Sequence, residues 1–174
     1  RREFASKMVQ KGHLDCIVCN AGTTLRRELK DITDEDWERT MQVNLNSSLY
    51  LIRDLYDAIP HNSRIIFIGS LMGVHPHGTS LAYGVSKAAV HALALNLVKS
   101  FEATDTTVNA IAPGFVETEW QASKPAEIRQ NIYAKSAVKR FASPDEVADA
   151  VMFCVRNAFV NGSVLELSGG YSFK

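Results

Sequence analysis

The stretch "RIIFIGSLMGVHPHGTSLAYGVSKAAVHALALNLVKSFEATDTTVNAIAP", residues 64 to 113, reads as strand, loop, helix, strand. "RIIFIG" is apolar on both sides of the pleat, as strands buried inside a parallel sheet are. "GVHPHGTS" is a loop rich in turn formers. Residues 80 to 101 then form an amphipathic helix, and "TTVNAIAP" returns as a second apolar strand. A strand, a helical crossover and another strand at this spacing imply a right-handed βαβ unit and a parallel sheet.

The same alternation extends outward in both directions. Upstream, "REFASKMVQKG" is a short helix ended by Gly12, and "LDCIVC" is a strand followed by the turn "NAG". A long helix runs from Thr33, its cap, to Ile59, with acidic residues in its first turn and Pro60 after it. Downstream, "PAEIRQNIYAKS" is helical. "SPDEVADAVMFCVRN" opens with the capping box Ser143/Glu146 and has Pro144 at its first position. "GSVLELSGG" is the closing strand. No repeat, low-complexity tract or linker interrupts residues 1 to 174, so the expectation is a single α/β domain with a doubly wound parallel sheet. The strands end in "NAG", "GS", "APG" and "SGG". Ligands of open α/β sheets bind beyond such ends, where small residues let them approach the backbone.

Composition narrows the function classes. Hydrophobic residues make up 46% and charged residues 22%, and the 19 basic and 19 acidic side chains cancel. That balance supplies no electrostatic footprint for nucleic acid or an anionic membrane, so neither is expected as a partner. No run of 18 apolar residues occurs, and residues 1 to 12 lack a signal-peptide core. Cys16, Cys19 and Cys154 read as reduced, buried thiols of a cytoplasmic protein. Cys16 and Cys19 formally match a redox or half-zinc pattern. They lie inside a strand with no second ligand pair, so no metal is expected. His75 and His77 resemble metal ligands but read better as polar tips of a substrate-side loop. His13 and His91 read as surface or packing residues. Trp37 and Trp120 read as packing against helices, with a substrate pocket as the other reading for Trp120.

The chemistry concentrates in the helix of residues 80 to 101. Tyr83 and Lys87 are four apart and share one face. A cation beside a phenol favours phenolate and lowers its pKa from about 10 toward the range of a useful general acid. An exposed pair without consequence is the plainer reading of the spacing alone. Context favours function, because Ser70 ends the preceding strand near the start of that helix and can donate to a substrate oxygen. Asn44, a poor helix former in "NLNSS", either satisfies a local carbonyl or helps a water chain.

This ordered set resembles the short-chain dehydrogenase/reductase family. It comprises "NAG" after a strand, Asn44 in "VNL", Ser70 followed thirteen residues later by Tyr83 in "YGVSK", "APGFVETE" and "GSVLELSGGYS". "RFASPDEVADAVMF" is most similar to its 3-oxoacyl-carrier-protein reductase-like members. The resemblance implies a Rossmann-like fold and hydride transfer between NAD or NADP and a small-molecule carbonyl or secondary alcohol. It implies Tyr83 as acid/base, Lys87 on the nicotinamide ribose, Ser70 orienting the carbonyl and Asn44 positioning a water linked to Lys87. Asn20, Ala21 and Gly22 would run beside the cofactor ribose, and Pro113, Gly114, Val116 and Thr118 would border the nicotinamide. A homo-oligomer, dimer or tetramer, is implied through the helices at residues 34 to 59 and 80 to 103.

Family members open with a strand and a glycine-rich turn that meets the cofactor diphosphate at a helix N-terminus. Nothing of that kind precedes Leu14, and Cys19 stands where many members carry asparagine. The expectation is that about two βαβ units lie outside this sequence, along with the residue that selects NAD or NADP. A truncated, non-catalytic remnant with a structural or binding role is the alternative.

Overall fold

A computed structural model describes residues 2–10, 12–76, 78 and 80–171. Helix α1 (Arg2–Val9) precedes strand β1 (Cys16–Cys19); α2 (Asp34–Met41), a π turn (Gln42–Asn46) and α3 (Ser47–Leu55) follow in one helical run. Strand β2 (Arg64–Ile68), helix α4 (Leu81–Leu97) and strand β3 (Thr107–Pro113) form the βαβ unit expected from residues 64 to 113. Helices α5 (Glu119–Ala122), α6 (Ala126–Lys135) and α7 (Pro144–Arg156) lead to β4 (Val164–Leu167). All three strand pairs are parallel, in the order β1-β2-β3-β4.

The pleat sorts side chains to two helical layers. Ile65 and Phe67 of β2, with Val108 and Ala110 of β3, pack on Ile52, Leu55, Val90 and Ala94 of α3 and α4. Ile66 and Ile111 point the other way, onto Ala150 and Cys154 of α7. Burial of these aliphatic side chains is worth about 25 cal/mol per Å² of apolar surface, which makes it the main adhesive of both layers. The α4 segment through Phe101 is long and apolar enough to cross a membrane; here about a third of it is buried, including Val90 and Ala94 against the sheet.

β2 and β3 are buried on both faces, as expected, but β1 is not. Its burial alternates, with Ile17 and Cys19 inside and Cys16 and Val18 exposed. Among the described residues β1 pairs with β2 alone, and the main sheet contacts of α7 are with β2 and β3. The α7 side of β1 is therefore uncovered. Cys16 is thus an exposed thiol rather than a buried one; Cys19 and Cys154 are buried, and all three are free.

Local rules hold at the helix starts. Thr33 Oγ1 accepts from Asp36 N at 3.1 Å. Ser143 and Glu146 form the reciprocal capping box at α7. Arg140 reaches across to Glu146 with both guanidinium nitrogens. That contact and the cap's N–H hold the Glu146 carboxyl down at about 2.

Candidate active site

β2 delivers Ser70 to the carboxyl edge of the sheet. Its Oγ accepts from Met72 N at 3.2 Å, capping the short 3₁₀ turn Leu71–Gly73, so the hydroxyl proton remains available to donate outward. Its backbone N–H donates to His91 Nε2 at 3.3 Å. His91 is therefore more than packing: its unprotonated Nε2 holds the Ser70 main chain from behind. Burial and the nearby Lys87 charge push its pKa down, keeping the ring neutral. Gly69 is what admits the ring, since a Cβ there would lie 2.0 Å from Nε2.

α4 brings Tyr83 and Lys87 to the same edge. Lys87 is 4% exposed and its ammonium donates to Ile68 O at 2.7 Å. Burial lowers its pKa to about 8. The Tyr83 phenol moves the other way from the sequence expectation. Burial raises its pKa, with the Ser70 hydroxyl beside it pulling down only in part. Lys87 does not lower it in this arrangement, because its ammonium is turned to the Ile68 carbonyl, 5.8 Å from the ring centroid. The phenol thus stays protonated through the neutral range.

Asn44 sits in the π turn, 1% exposed. Its Oδ1 accepts from Thr23 N at 2.7 Å, and its Nδ2 donates to Thr23 O at 2.9 Å and to Ser86 Oγ at 2.8 Å. Ser86 Oγ in turn donates to Tyr83 O at 2.7 Å. Asn44 therefore ties the loop after β1 to the first turns of α4. Single π turns inside α-helices are frequent at functional sites, where the widened register re-aims a side chain.

A cleft of about 970 Å³ opens along this edge. It is lined by Asn20, Gly22, Ser70, Tyr83, Lys87, Pro113, Gly114, Val116 and Thr118. Ala21 and Asn44 stand outside the lining, Ala21 exposed and Asn44 buried behind Gly22, where an added Cβ would lie 3.6 Å from Asn44 Oδ1. The donor set suits the ribose and nicotinamide end of a dinucleotide. Lys87 has three N–H donors, and its one partner among the described residues leaves two for ribose hydroxyls. The apolar α7 face (Val147, Val151, Met152) and Val18 also line the cleft. From sequence this segment reads as a capped helix, with none of these residues marked as site-lining.

A second cavity, of about 120 Å³, shares Ser70, Tyr83, Pro113, Gly114, Trp120 and Gln121 with the first. Trp120 is exposed and lines both spaces, the pocket reading rather than the packing one. Trp37 is also partly exposed. Above the cavity, Phe115, Phe141, Tyr133 and Tyr171 form an aromatic cluster that anchors the loop after β3. His75 Nε2 lies 3.6 Å from Glu166 Oε2, and His77 falls outside the described residues.

The family model described as enoyl-(acyl carrier protein) reductase matches residues 2–172. The chain is 30% identical over 174 residues to the 3-oxoacyl-[acyl-carrier-protein] reductase of Thermotoga maritima, covering 97% of this chain and 71% of that protein. It is 33% identical over 180 residues to the short-chain dehydrogenase/reductase SDRA of Arabidopsis thaliana, covering 98% of this chain and 69% of that one. The crystal structure of BdcA in complex with NADPH superposes with a TM-score of 0.89 at 28% identity, over 99% of this chain and 72% of BdcA.

Proposed function

Because this chain belongs to the short-chain dehydrogenase/reductase family of NAD(P)-dependent oxidoreductases, we propose that it interconverts a carbonyl and a secondary alcohol with Tyr83 as the proton-transferring group. The observation that carries this reading is the meeting of two cavities at Ser70 and Tyr83. The larger has the size and donors for the nicotinamide end of the cofactor, and the smaller holds the substrate.

When bound, the reduced nicotinamide supplies a hydride to the carbonyl carbon. Ser70 donates a hydrogen bond to the carbonyl oxygen and draws electron density toward it. Tyr83 passes its proton to that oxygen as charge develops. Its raised pKa keeps the proton in place at neutral pH but makes the phenol a weaker acid, so the Ser70 hydroxyl beside it has to help carry the charge that develops on the phenol oxygen. Lys87 binds ribose hydroxyls with the ammonium donors that Ile68 O leaves open. Asn44 and Ser86 act through Tyr83 by fixing the turn that carries it. The pattern of exposed apolar side chains on the α2 and α4 surfaces, including Trp37, Val85 and Leu95, supports a homo-oligomer. Sedimentation velocity is expected to show a dimer or tetramer; a monomer at micromolar concentration overturns that part.

The test is titration of the purified protein with NADH and NADPH across pH. At pH 7 one or both bind. Affinity is expected to weaken as pH rises through about 8, where Lys87 loses its charge and a donor. Fold stability moves oppositely there. A lysine whose folded pKa lies below its unfolded value penalises the fold while charged, and that penalty lifts between about 8 and the ordinary lysine range. Failure of both nucleotides to bind at pH 7 sinks the reading.

A further inference from the structure

The smaller cavity carries a charge pattern that hydride transfer does not require. Arg26, from the loop after β1, and Lys124, from the turn after α5, both line it alongside Ser70 and Tyr83, and no Asp or Glu does. Among the described residues neither cation is in an ion pair, whereas the adjacent Arg27 lies 3.4 Å from Asp36 Oδ2. The two cations also act on each other. Partial burial, with a smaller contribution from repulsion by Arg26, pushes the Lys124 ammonium below its ordinary pKa. Like charges converging without a counter-ion are unfavourable by themselves and become favourable when an anion lies between them. A third group looks into the same space: Gln121 Oε1 is buried with no partner among the described residues. Its amide is able to turn either its oxygen or its NH₂ toward a ligand.

We infer that the substrate is a short carbonyl compound, or the matching secondary alcohol, that bears a carboxylate held by Arg26 and Lys124 while Ser70 and Tyr83 hold the reacting oxygen. This rests on the oxidoreductase reading and names its substrate class. The cavity at Ser70 and Tyr83 is small, about 120 Å³ against about 970 Å³ for the adjoining cleft. The carboxylate therefore lies only a few bonds from the reacting carbon, as in a 3-oxo acid. Arg26 presents the forked donors that match a carboxylate, and Lys124 adds a point charge. The carboxylate takes no part in the electron flow. Hydride adds to the carbonyl carbon, the Tyr83 proton adds to the oxygen, and the product is the hydroxy acid anion with oxidised nucleotide.

The experiment compares acetoacetate with its uncharged methyl ester in the wild type, Arg26→Gln, Lys124→Gln and the double variant. Nucleotide oxidation is followed at fixed pH, and acetoacetate binding is read from Trp120 fluorescence. The wild type is expected to prefer acetoacetate in kcat/KM by about tenfold or more, the scale of one charge-assisted hydrogen bond. Each single variant is expected to raise KM for acetoacetate about tenfold with a smaller change in kcat, collapsing the preference, and Arg26→Lys to restore part of it. Fluorescence binding is lost in the double variant, and inorganic phosphate competes poorly. An ester reduced as well as the acid, with a ratio indifferent to both substitutions, overturns the carboxylate subsite and leaves the oxidoreductase reading standing. Phosphate that displaces acetoacetate at equal concentration also overturns it, by showing a general anion site. If neither compound is reduced, the oxidoreductase reading suffers. The subsite is then judged on binding alone: retained by the double variant, it falls; lost, it stands.

Discussion

Tyr83→Phe is expected to lower kcat by about 10²–10⁴-fold, the usual contribution of a positioned general acid, while leaving the thermal midpoint near that of the wild type. This substitution separates chemistry from packing. The phenyl ring keeps the contacts of the half-buried tyrosine with Lys87, whose ammonium lies 5.8 Å from the ring centroid. The change removes only the hydroxyl, the group facing Ser70 at the junction of the two cavities. Initial rates at saturating substrate, paired with a thermal melt, make the measurement. A variant within tenfold of the wild type in kcat, with an unchanged melt, would falsify Tyr83 as the proton donor.

Gly73→Ala is expected to have the largest effect on stability among single methyl additions around the site. A Cβ at this position would lie 2.6 Å from Ala88 N and 2.7 Å from Lys87 C, both main-chain atoms in the middle of α4. Backbone inside a helix has no rotamer by which to yield. The 3₁₀ turn must therefore move off α4, at the usual cost of overpacking, about 1–3 kcal/mol. For a chain of this size each kcal/mol lowers the midpoint by roughly 2–4 °C. Activity is expected to fall further than stability accounts for, because Gly73 N donates to Ser70 O at 2.9 Å and the displaced turn carries Ser70 with it. Gly78→Ala is the control, since nothing lies within 4 Å of its added methyl. Equal melting temperatures for the two variants would refute the steric account.

The parts of this site that depend on periodicity could be read from the chain. Tyr83 and Lys87 had to share a helix face at a spacing of four, and both lie on α4 and line one cleft; Ser70, expected at the end of a strand, stands two residues beyond β2 as the cap of a 3₁₀ turn. What depends on burial could not. Spacing places an ammonium near a phenol but does not show that the ammonium turns to the Ile68 carbonyl, or that desolvation outweighs charge at Tyr83. The alternating burial of β1 is likewise not written in its own residues. "CIVC" is as apolar as "RIIFI", and only the reach of α7 tells the half-buried strand from the buried one. Arg26 and Lys124 come from loops distant in sequence, so no local pattern announces that they face one cavity. The π turn was foreshadowed only by an asparagine in an unexpected place.

That π turn sets a limit on how far the protein can be improved as a material. The run from Asp34 to Leu55 carries one wide turn at Gln42–Asn46. Shortening it by a residue to restore a regular helix would tighten the backbone ladder and change the phase at which the side chains of this turn leave the helix. Asn44 would swing away from Thr23 and Ser86, releasing the tie that fixes the first turns of α4. An engineer selecting for heat resistance alone would be drawn to that deletion, and an engineer selecting for turnover would restore it. The irregular helix is where those two aims part.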